Sequence, residues 1–202
     1  MKLVIMTKST FFVEEDKILT ILFEEGLDNL HISKTDHSPH YAERLLSLIP
    51  SNYHRFITVH QNFNLTKEFS LAGIHLDADT IIPPKDFRGR ISSTCSDILK
   101  LKDTRKRFAY VTLKNINDGI EYPMERKSLF IPELKELQRQ GLIGRHVYAM
   151  GGIKLSDIPS LKEYGFGGVV VCGALWQKFN IQHATDFKSI IAYFKKLKQA
   201  VE

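Results

Sequence analysis

Cysteine is scarce in this chain, since only Cys95 and Cys172 occur among 202 residues. Two thiols are too few for a disulfide framework or a thiolate metal site, and both lie in apolar strand contexts, so we expect a reducing compartment. Long hydrophobic runs are also absent, which argues against a membrane span, and the amino terminus enters a predicted strand without a signal-peptide pattern. The sequence therefore predicts a soluble, cytoplasmic protein with no membrane partner.

A concentration of basic charge is absent too. The formal net charge is +5, but the lysines and arginines are scattered along the chain. The densest basic run, 195–198, lies in the last turns of a predicted terminal helix, where cations complement the helix dipole. Because no nucleic-acid-binding motif accompanies this charge, we expect no nucleic acid partner. A small anionic substrate fits the charge equally well.

What the chain does contain is a regular alternation of short apolar strands with helices. With 43% hydrophobic and 25% charged residues, residues 1–202 suit a single globular domain. The predicted strands are 2–6, 30–33, 56–60, 73–77, 91–94, 108–113, 146–150 and 168–172. The predicted helices are 16–25, 41–48, 65–71, 96–102 (capped by Ser96), 132–140, 156–164 and 186–201.

Eight strands separated by helices predict a compact (β/α)8 barrel of the TIM type, with parallel pairing throughout. The helix after the fourth strand is expected to be weak or missing, because 80–89 is rich in proline and polar residues. An open doubly wound sheet is the main competing fold. That fold normally carries a glycine-rich turn after its first strand, and residues 7–10 contain no glycine.

Glycine marks the ends of the last two predicted strands, in 148–153 and 168–174. In a barrel of this type the last two strands commonly build a phosphate-binding cradle, where glycine lets backbone N–H groups approach the phosphate oxygens. The alternative is that these glycines only permit tight turns from strand to helix.

The chain resembles the thiamine phosphate synthases and their relatives, the thiazole tautomerases, over nearly its whole length. The resembling segments are 30–34, 72–76, 92–95, 149–153 and 167–171. The resemblance implies a single (β/α)8 barrel that joins a hydroxymethylpyrimidine diphosphate to a thiazole phosphate and releases pyrophosphate with the help of magnesium. It also implies phosphorylated thiazole and pyrimidine substrates, or thiamin phosphate, as small-molecule partners.

The thiazole phosphate side of the family pattern is the better preserved. Gly151 and Gly152 match the glycines after the seventh strand, and Val171, Cys172 and Gly173 match the stretch that completes the phosphate cradle. Backbone donors act there, so side-chain changes matter little.

The pyrimidine diphosphate side departs from the pattern. A synthase has Gln-x-Arg-x-Lys after the second strand, whereas this chain has His31, Ser33 and Lys34 in that stretch. Because side chains alternate along a strand, Lys34 is expected to point away from the face that carries the other two. Lys114, after the sixth strand, is a candidate to replace the missing cations.

The implied magnesium site is altered as well. Synthases place an Asn-Asp pair after the third strand, where this chain has His60 and Gln61. Asp77 and Asp79, after the fourth strand, are the candidate metal ligands, and a solvated loop or a helix cap is the alternative role for both.

The tautomerases isomerise a carboxythiazole ring with a histidine after the fifth strand, where this chain has Ser93 and Cys95. The predicted catalytic group is therefore Ser93, Cys95 and His31, with Cys95 as an inert packed thiol in the alternative interpretation. We expect an enzyme of thiamin biosynthesis, either a synthase or a tautomerase. A binding or regulatory protein that has lost its chemistry is the alternative from another functional class.

Overall fold

The strands predicted from the sequence close into one barrel. The computed structural model describes residues 1–34, 38–95, 97–121, 129–179 and 187–202. The strands are β1 (Lys2–Met6), β2 (Leu30–Ile32), β3 (Ile57–Val59), β4 (Gly73–Leu76), β5 (Arg90–Thr94), β6 (Val111–Leu113), β7 (Val147–Ala149) and β8 (Gly168–Val171). Each strand pairs in parallel with the next, and β8 pairs with β1. The predicted (β/α)8 barrel is confirmed.

Helices connect most of the strands on the outside. They are α1 (Glu15–Glu24), α2 (Pro39–Leu48), α3 (Leu65–Glu68), α4 (Leu101–Arg107), α5 (Ile131–Arg139), α6 (Ile158–Glu163), α7 (Gly173–Trp176) and α8 (Lys188–Val201). Short 3-10 turns at Ser51–Phe56, Ile98–Lys100 and Leu155–Asp157 precede β3, α4 and α6. Between β4 and β5 the chain, which is described throughout, makes only turns and bends, as the prolines predicted.

The helix predicted at 96–102 ends later than expected. Ser96, the predicted cap, lies outside the described residues, and the side chain of Asp97 accepts a hydrogen bond from the backbone N–H of Leu99 at 3.0 Å. The helix then continues through Arg107. After Leu101 every residue of this helix is polar, and of these Thr104 is the buried one, so the hydrophobic periodicity is too sparse to be recognised in the sequence.

Alternation along the strands sorts side chains into two layers. Leu3 and Ile5 belong to the outer layer that packs against the helices, whereas Val4 belongs to a separate interior cluster with Tyr110, Tyr148, Met150 and Val170. The interior on the side of β2 to β6 is polar instead. It contains buried His31, Thr58, His75, Ser92, Thr94 and Thr112. Since barrel interiors are usually filled by branched apolar side chains, this polar half is a departure that requires a reason.

The terminal helix α8 covers the junction where the barrel closes. Its buried side chains Ile190, Phe194, Leu197 and Val201 recur every three or four residues, which is the spacing of one helix face. Full burial of each contributes about 1.5 to 3 kcal/mol. The amino-terminal ammonium of Met1 also donates to the carbonyl oxygen of Val201 at 2.8 Å. Among the described residues, no helix combines the length and apolar character that crossing a membrane requires.

Candidate active site

A cavity of about 330 Å³ opens at the carboxyl ends of the strands, a size that suits a small ligand. It brings together most of the predicted binding residues, namely Ser33, Lys34, Asp77, Lys114, Gly151, Gly152, Cys172 and Gly173. An apolar part of the wall is made by Met6, Met150, Ile153, Val170 and Ala174. The cavity wall therefore combines polar and apolar side chains.

The turn after β7 needs glycine at two positions. Gly151 and Gly152 have φ angles of 96° and 61°, in the left-handed region. A Cβ on Gly152 would lie 2.1 Å from the carbonyl oxygen of Asp118, and one on Gly151 would lie 2.7 Å from the backbone nitrogen of Asn115. Both positions therefore require glycine for two reasons, the tight turn and the close approach of another segment of backbone.

That segment is the β6 loop, which we define as residues 114–121. Its start is tied to the glycine turn, because the backbone N–H of Ile116 donates to Met150 at 3.1 Å and that of Asn117 donates to Gly151 at 3.0 Å. Its end is tied to the loop after β1, because the backbone N–H and the hydroxyl of Ser9 both donate to the carboxylate of Glu121 at 2.9 Å. The β6 loop is therefore held at both ends beside the cavity. Arg126 and Lys127, which follow it, lie outside the described residues.

The turn after β8 is covered by the same loop. A Cβ on Gly173 would lie 2.6 Å from the side chain of Ile120 and 2.8 Å from the backbone nitrogen of Glu121. The buried thiol of Cys172 donates to the carbonyl of Thr7 at 3.2 Å, and burial raises its pKa, so it stays a neutral thiol. Val171 lies in the outer apolar layer and does not line the cavity.

Lys34 lies two residues beyond the end of β2 and, like Ser33, borders the cavity. Its ammonium lies 2.5 Å from Glu15 on α1 and donates to the carbonyl of Thr10 at 3.1 Å. Both charged side chains are almost fully buried, at 2% and 1% exposure. Burial raises the pKa of Glu15 to about 7, against the opposing effect of the Lys34 charge, and burial lowers the pKa of Lys34. The charge of Lys34 is therefore directed at Glu15 rather than into the cavity.

A chain of hydrogen bonds descends from the cavity into the barrel. The carboxylate of Asp77 lies 2.7 Å from Nδ1 of His60, and Nε2 of His60 lies 2.9 Å from Nδ1 of His31. Nε2 of His31 contacts the hydroxyl of Tyr110. Asp77 and His60 line the cavity, whereas His31, a predicted catalytic residue, is buried beneath it. Sequence reasoning missed Tyr110, although its apolar strand context and alternation with the outward-facing Val111 could have indicated an inward position.

His75 lies next to this series of hydrogen-bonded side chains. Its two ring nitrogens contact the hydroxyls of Ser92 at 2.9 Å and Thr94 at 3.0 Å. Burial lowers the pKa values of His31 and His75 well below the usual range, and neighbouring positive groups add to the effect. Both imidazoles are therefore neutral at physiological pH.

Besides His31 and Val171, three further predicted site residues do not line the cavity. Ser93 points into the outer layer, where its hydroxyl donates to a β4 carbonyl at 3.1 Å. The thiol of Cys95 donates to the carbonyl of Asp97 at 3.2 Å, and burial raises its pKa to about 11. The buried carboxylate of Asp79 accepts a hydrogen bond from Thr104 on α4 at 2.8 Å. The geometry therefore gives no support to catalysis by Ser93 or Cys95, or to Asp79 as a metal ligand at this cavity.

Asp77 is the member of the predicted metal pair that reaches the cavity, with about half of its side chain exposed. Mg²⁺ in proteins is often held by one or two carboxylates together with waters and substrate phosphates. The residues of this cavity fit a magnesium ion only in that limited form, with Asp77 as the protein carboxylate and a diphosphate supplying further oxygens.

Comparison with known proteins agrees with this geometry. A crystal structure of thiamine phosphate pyrophosphorylase from Bacteroides thetaiotaomicron is 42% identical, covers 99% of this chain and 97% of its own, and superposes with a TM-score of 0.87. A thiamine phosphate pyrophosphorylase from Pyrococcus furiosus has a TM-score of 0.72 over 99% of this chain and 95% of its own, but at 14% identity it shows the fold alone.

A 3-hexulose-6-phosphate synthase, at 13% identity, covers all of both chains with a TM-score of 0.66 and likewise shows only the fold. No protein-family profile and no curated protein sequence matches the chain. The full-length match at 42% identity, together with the cavity at the carboxyl ends of the strands, shows that the chain belongs to the thiamine phosphate pyrophosphorylase family.

Proposed function

We propose that this protein is a transferase of thiamin biosynthesis that joins a hydroxymethylpyrimidine diphosphate to a thiazole phosphate and releases pyrophosphate. The observation that carries the proposal is the 42% identity to a thiamine phosphate pyrophosphorylase over 99% of this chain. The cavity supports it, because the predicted phosphate-binding glycines and Lys114 line the same space of about 330 Å³.

The thiazole phosphate occupies the end of the cavity near β7 and β8. The turns at Gly152 and Gly173 present backbone rather than side chain there, so N–H groups can approach phosphate oxygens closely. The β6 loop lies on both turns, with Asp118 and Ile120 at the positions a Cβ would take. Ligand binding at this end therefore requires the β6 loop to shift, which exchanges its glycine contacts for contacts to the phosphate.

The diphosphate lies between Ser33, which follows β2, and Lys114, which follows β6, since both residues line the cavity. In the reaction the bond between the pyrimidine methylene carbon and the diphosphate oxygen breaks, the electron pair leaves with pyrophosphate, and the thiazole nitrogen bonds to that carbon. Lys114 stabilises the developing negative charge, and the Ser33 hydroxyl donates to a phosphate oxygen. The apolar wall around Met150 excludes water that would otherwise capture the carbon centre.

A magnesium ion, held by Asp77 and by diphosphate oxygens, would neutralise further charge on the leaving group. Because the protein contributes one carboxylate from the predicted pair, we expect magnesium to bind together with the diphosphate rather than before it. Asp79 takes no part, since its carboxylate is turned to Thr104.

The tautomerase alternative has less support in the geometry. The position at which a tautomerase carries its histidine is Cys95 here, and the pKa of that thiol is raised to about 11. A thiol with such a pKa is a poor base near neutral pH. No contact among the described residues favours the regulatory alternative over an enzyme.

A coupling assay tests the proposal. Purified protein is mixed with hydroxymethylpyrimidine diphosphate, thiazole phosphate and magnesium, and thiamin phosphate is followed against a magnesium-free control. We expect metal-dependent product and far less product from the thiazole alcohol that lacks the phosphate. A folded protein that binds thiazole phosphate but forms no product would contradict the transferase proposal and leave a tautomerase or a binding protein.

Lys114→Met tests the diphosphate side. We expect kcat/KM for the diphosphate substrate to fall about tenfold to a hundredfold, which corresponds to losing one hydrogen bond to a charged group. Lys162→Met, at an exposed position on α6, is the matched control and should change kcat/KM by less than about twofold. Equal effects of the two substitutions would remove Lys114 from the site.

A further inference from the structure

Three histidines meet in the polar half of the barrel interior. His31, His60 and His75 come from the neighbouring strands β2, β3 and β4 or their ends, and all three are buried. Their ring centroids are 4.4 to 5.2 Å apart. One nitrogen from each ring can be chosen so that the three nitrogens lie within 4.8 Å of one another. Pairing of β2, β3 and β4 as neighbouring strands brings these sequence positions together.

The second nitrogen of each ring also has a hydrogen-bond partner of the kind that metal-binding histidines use. A ligating histidine usually donates its second ring nitrogen to a carboxylate, a carbonyl or another oxygen, which fixes the ring and its tautomer. Here the second nitrogen of His60 contacts Asp77 at 2.7 Å, and that of His31 contacts the hydroxyl of Tyr110. His75 contacts hydroxyls through both nitrogens, so one of these contacts can remain when the other is exchanged for a cation.

The geometry of the ring nitrogens suits cation binding. An unprotonated imidazole offers a nitrogen lone pair to a metal ion. Nδ1 of His31 and Nε2 of His60 already lie 2.9 Å apart. Two nitrogens bound to one tetrahedral zinc ion at 2.0 to 2.1 Å lie about 3.3 Å apart, so small ring movements suffice.

We propose that His31, His60 and His75 form a binding site for a zinc-like divalent transition-metal ion, beneath the floor of the cavity. His60 belongs to both the cluster and the cavity wall, which gives the ion a path from the barrel mouth. Imidazole nitrogens suit zinc, cobalt or nickel, whereas magnesium prefers oxygen ligands. The site is therefore different from the magnesium position at Asp77, and it does not depend on the coupling reaction.

Metal binding by the chelator-treated wild-type protein, without substrates, is the first test. Equilibrium dialysis against Zn²⁺ is expected to give one tightly held ion per chain, which excess Mg²⁺ does not displace. Titration with Co²⁺ is expected to give the intense visible bands of a four-coordinate site, saturating at one equivalent. Absence of stoichiometric Zn²⁺ or of those bands would overturn the proposal without a variant having to fold.

Substitutions then assign the ligands. His75→Gln should weaken Zn²⁺ binding at least about a hundredfold, and Asp77→Asn, which changes an outer partner, about tenfold to a hundredfold. His146→Gln is the matched control, because this exposed histidine lies at the opposite end of the barrel interior, near Tyr148. Unchanged Zn²⁺ binding by a folded His75→Gln protein, or equal loss in His146→Gln, would place the ion elsewhere and refute the site. Histidine ¹⁵N shifts of the wild type provide a second readout, since three imidazoles should respond together.

Discussion

Breaking the buried ion pair between Lys34 and Glu15 is expected to lower the free energy of unfolding by a large, measurable amount. Lys34→Met removes the ammonium that lies 2.5 Å from the Glu15 carboxylate and leaves a carboxyl group with 1% exposure. The other carboxyl oxygen of Glu15 has no hydrogen-bond partner among the described residues, so nothing there compensates. Removing one partner of a buried pair typically costs about 3 to 5 kcal/mol of the free energy of unfolding. For a chain of this length that lowers Tm by about 6 to 20 °C.

Urea unfolding at pH 8 measures the loss, with two controls. Lys17→Met breaks an exposed pair with Glu14 close by on the chain, and it should change the free energy of unfolding by less than about 0.5 kcal/mol. The double variant Glu15→Leu with Lys34→Met removes both charges and should recover most of the loss, because an apolar replacement of a buried pair is often neutral.

The pH dependence gives an independent check with a defined sign. Because the folded-state pKa of Glu15 is raised from 4.5 to about 7, its contribution to stability is fully present below about pH 4.5 and is lost as pH rises through about 7. The cost of Lys34→Met should therefore be smaller at pH 5 than at pH 8, since a protonated Glu15 needs no cation. The reasoning is refuted if Lys34→Met loses no more stability than Lys17→Met, or if the double variant is as unstable as Lys34→Met alone.

Three further predictions concern packing and thiol reactivity. Because the pKa of Cys95 is about 11 and that of Cys172 is raised by burial, both thiols should react slowly with an alkylating reagent at pH 8 in the native protein and rapidly in denaturant; fast native labelling would contradict this. Gly152→Ala should cost about 1 to 3 kcal/mol more in urea unfolding than Gly141→Ala, because both have positive φ but only Gly152 is crowded; equal losses would contradict the crowding. Trp176→Phe removes a 2.7 Å indole hydrogen bond to a β1 carbonyl and should cost about 1 to 3 kcal/mol, and an unchanged Tm would contradict that contact.

The barrel could be predicted because its local signals agree. Most strands are short, largely apolar runs next to turn residues, and the glycines after β7 and β8 stand at the carboxyl ends of their strands, as expected. Short helical segments were less predictable. Residues 51–56 form a 3-10 turn, and Gly173–Trp176 forms a short helix, although neither segment shows a long periodic pattern.

The placement of side chains around the site was only partly predictable. Alternation within β5 turns Thr94 inward and Ser93 outward, so Ser93 could have been excluded from the site on the sequence alone. Beyond the end of a strand the phase of alternation is lost, so the turn of Asp79 toward α4 could not be predicted.

The histidine cluster shows a different limit. In the sequence, His31 and His75 stand as single histidines in apolar strands, a setting that usually indicates a core residue satisfied by a neighbour. Their meeting with His60 depends on the register between neighbouring strands, in which His31 pairs with Thr58 and Thr58 with Gly73. Because the three strands are separated in the sequence, no single local pattern contains this register.

The central claim is that this cavity couples two phosphorylated heterocycles, and ³¹P NMR of one reaction mixture tests it most directly. With protein, magnesium, hydroxymethylpyrimidine diphosphate and thiazole phosphate together, we predict that pyrophosphate and thiamin phosphate appear in equal amounts. Neither product should form when the magnesium is removed. Pyrophosphate without thiamin phosphate would show hydrolysis rather than coupling, and unchanged substrate resonances from a folded protein would contradict the account.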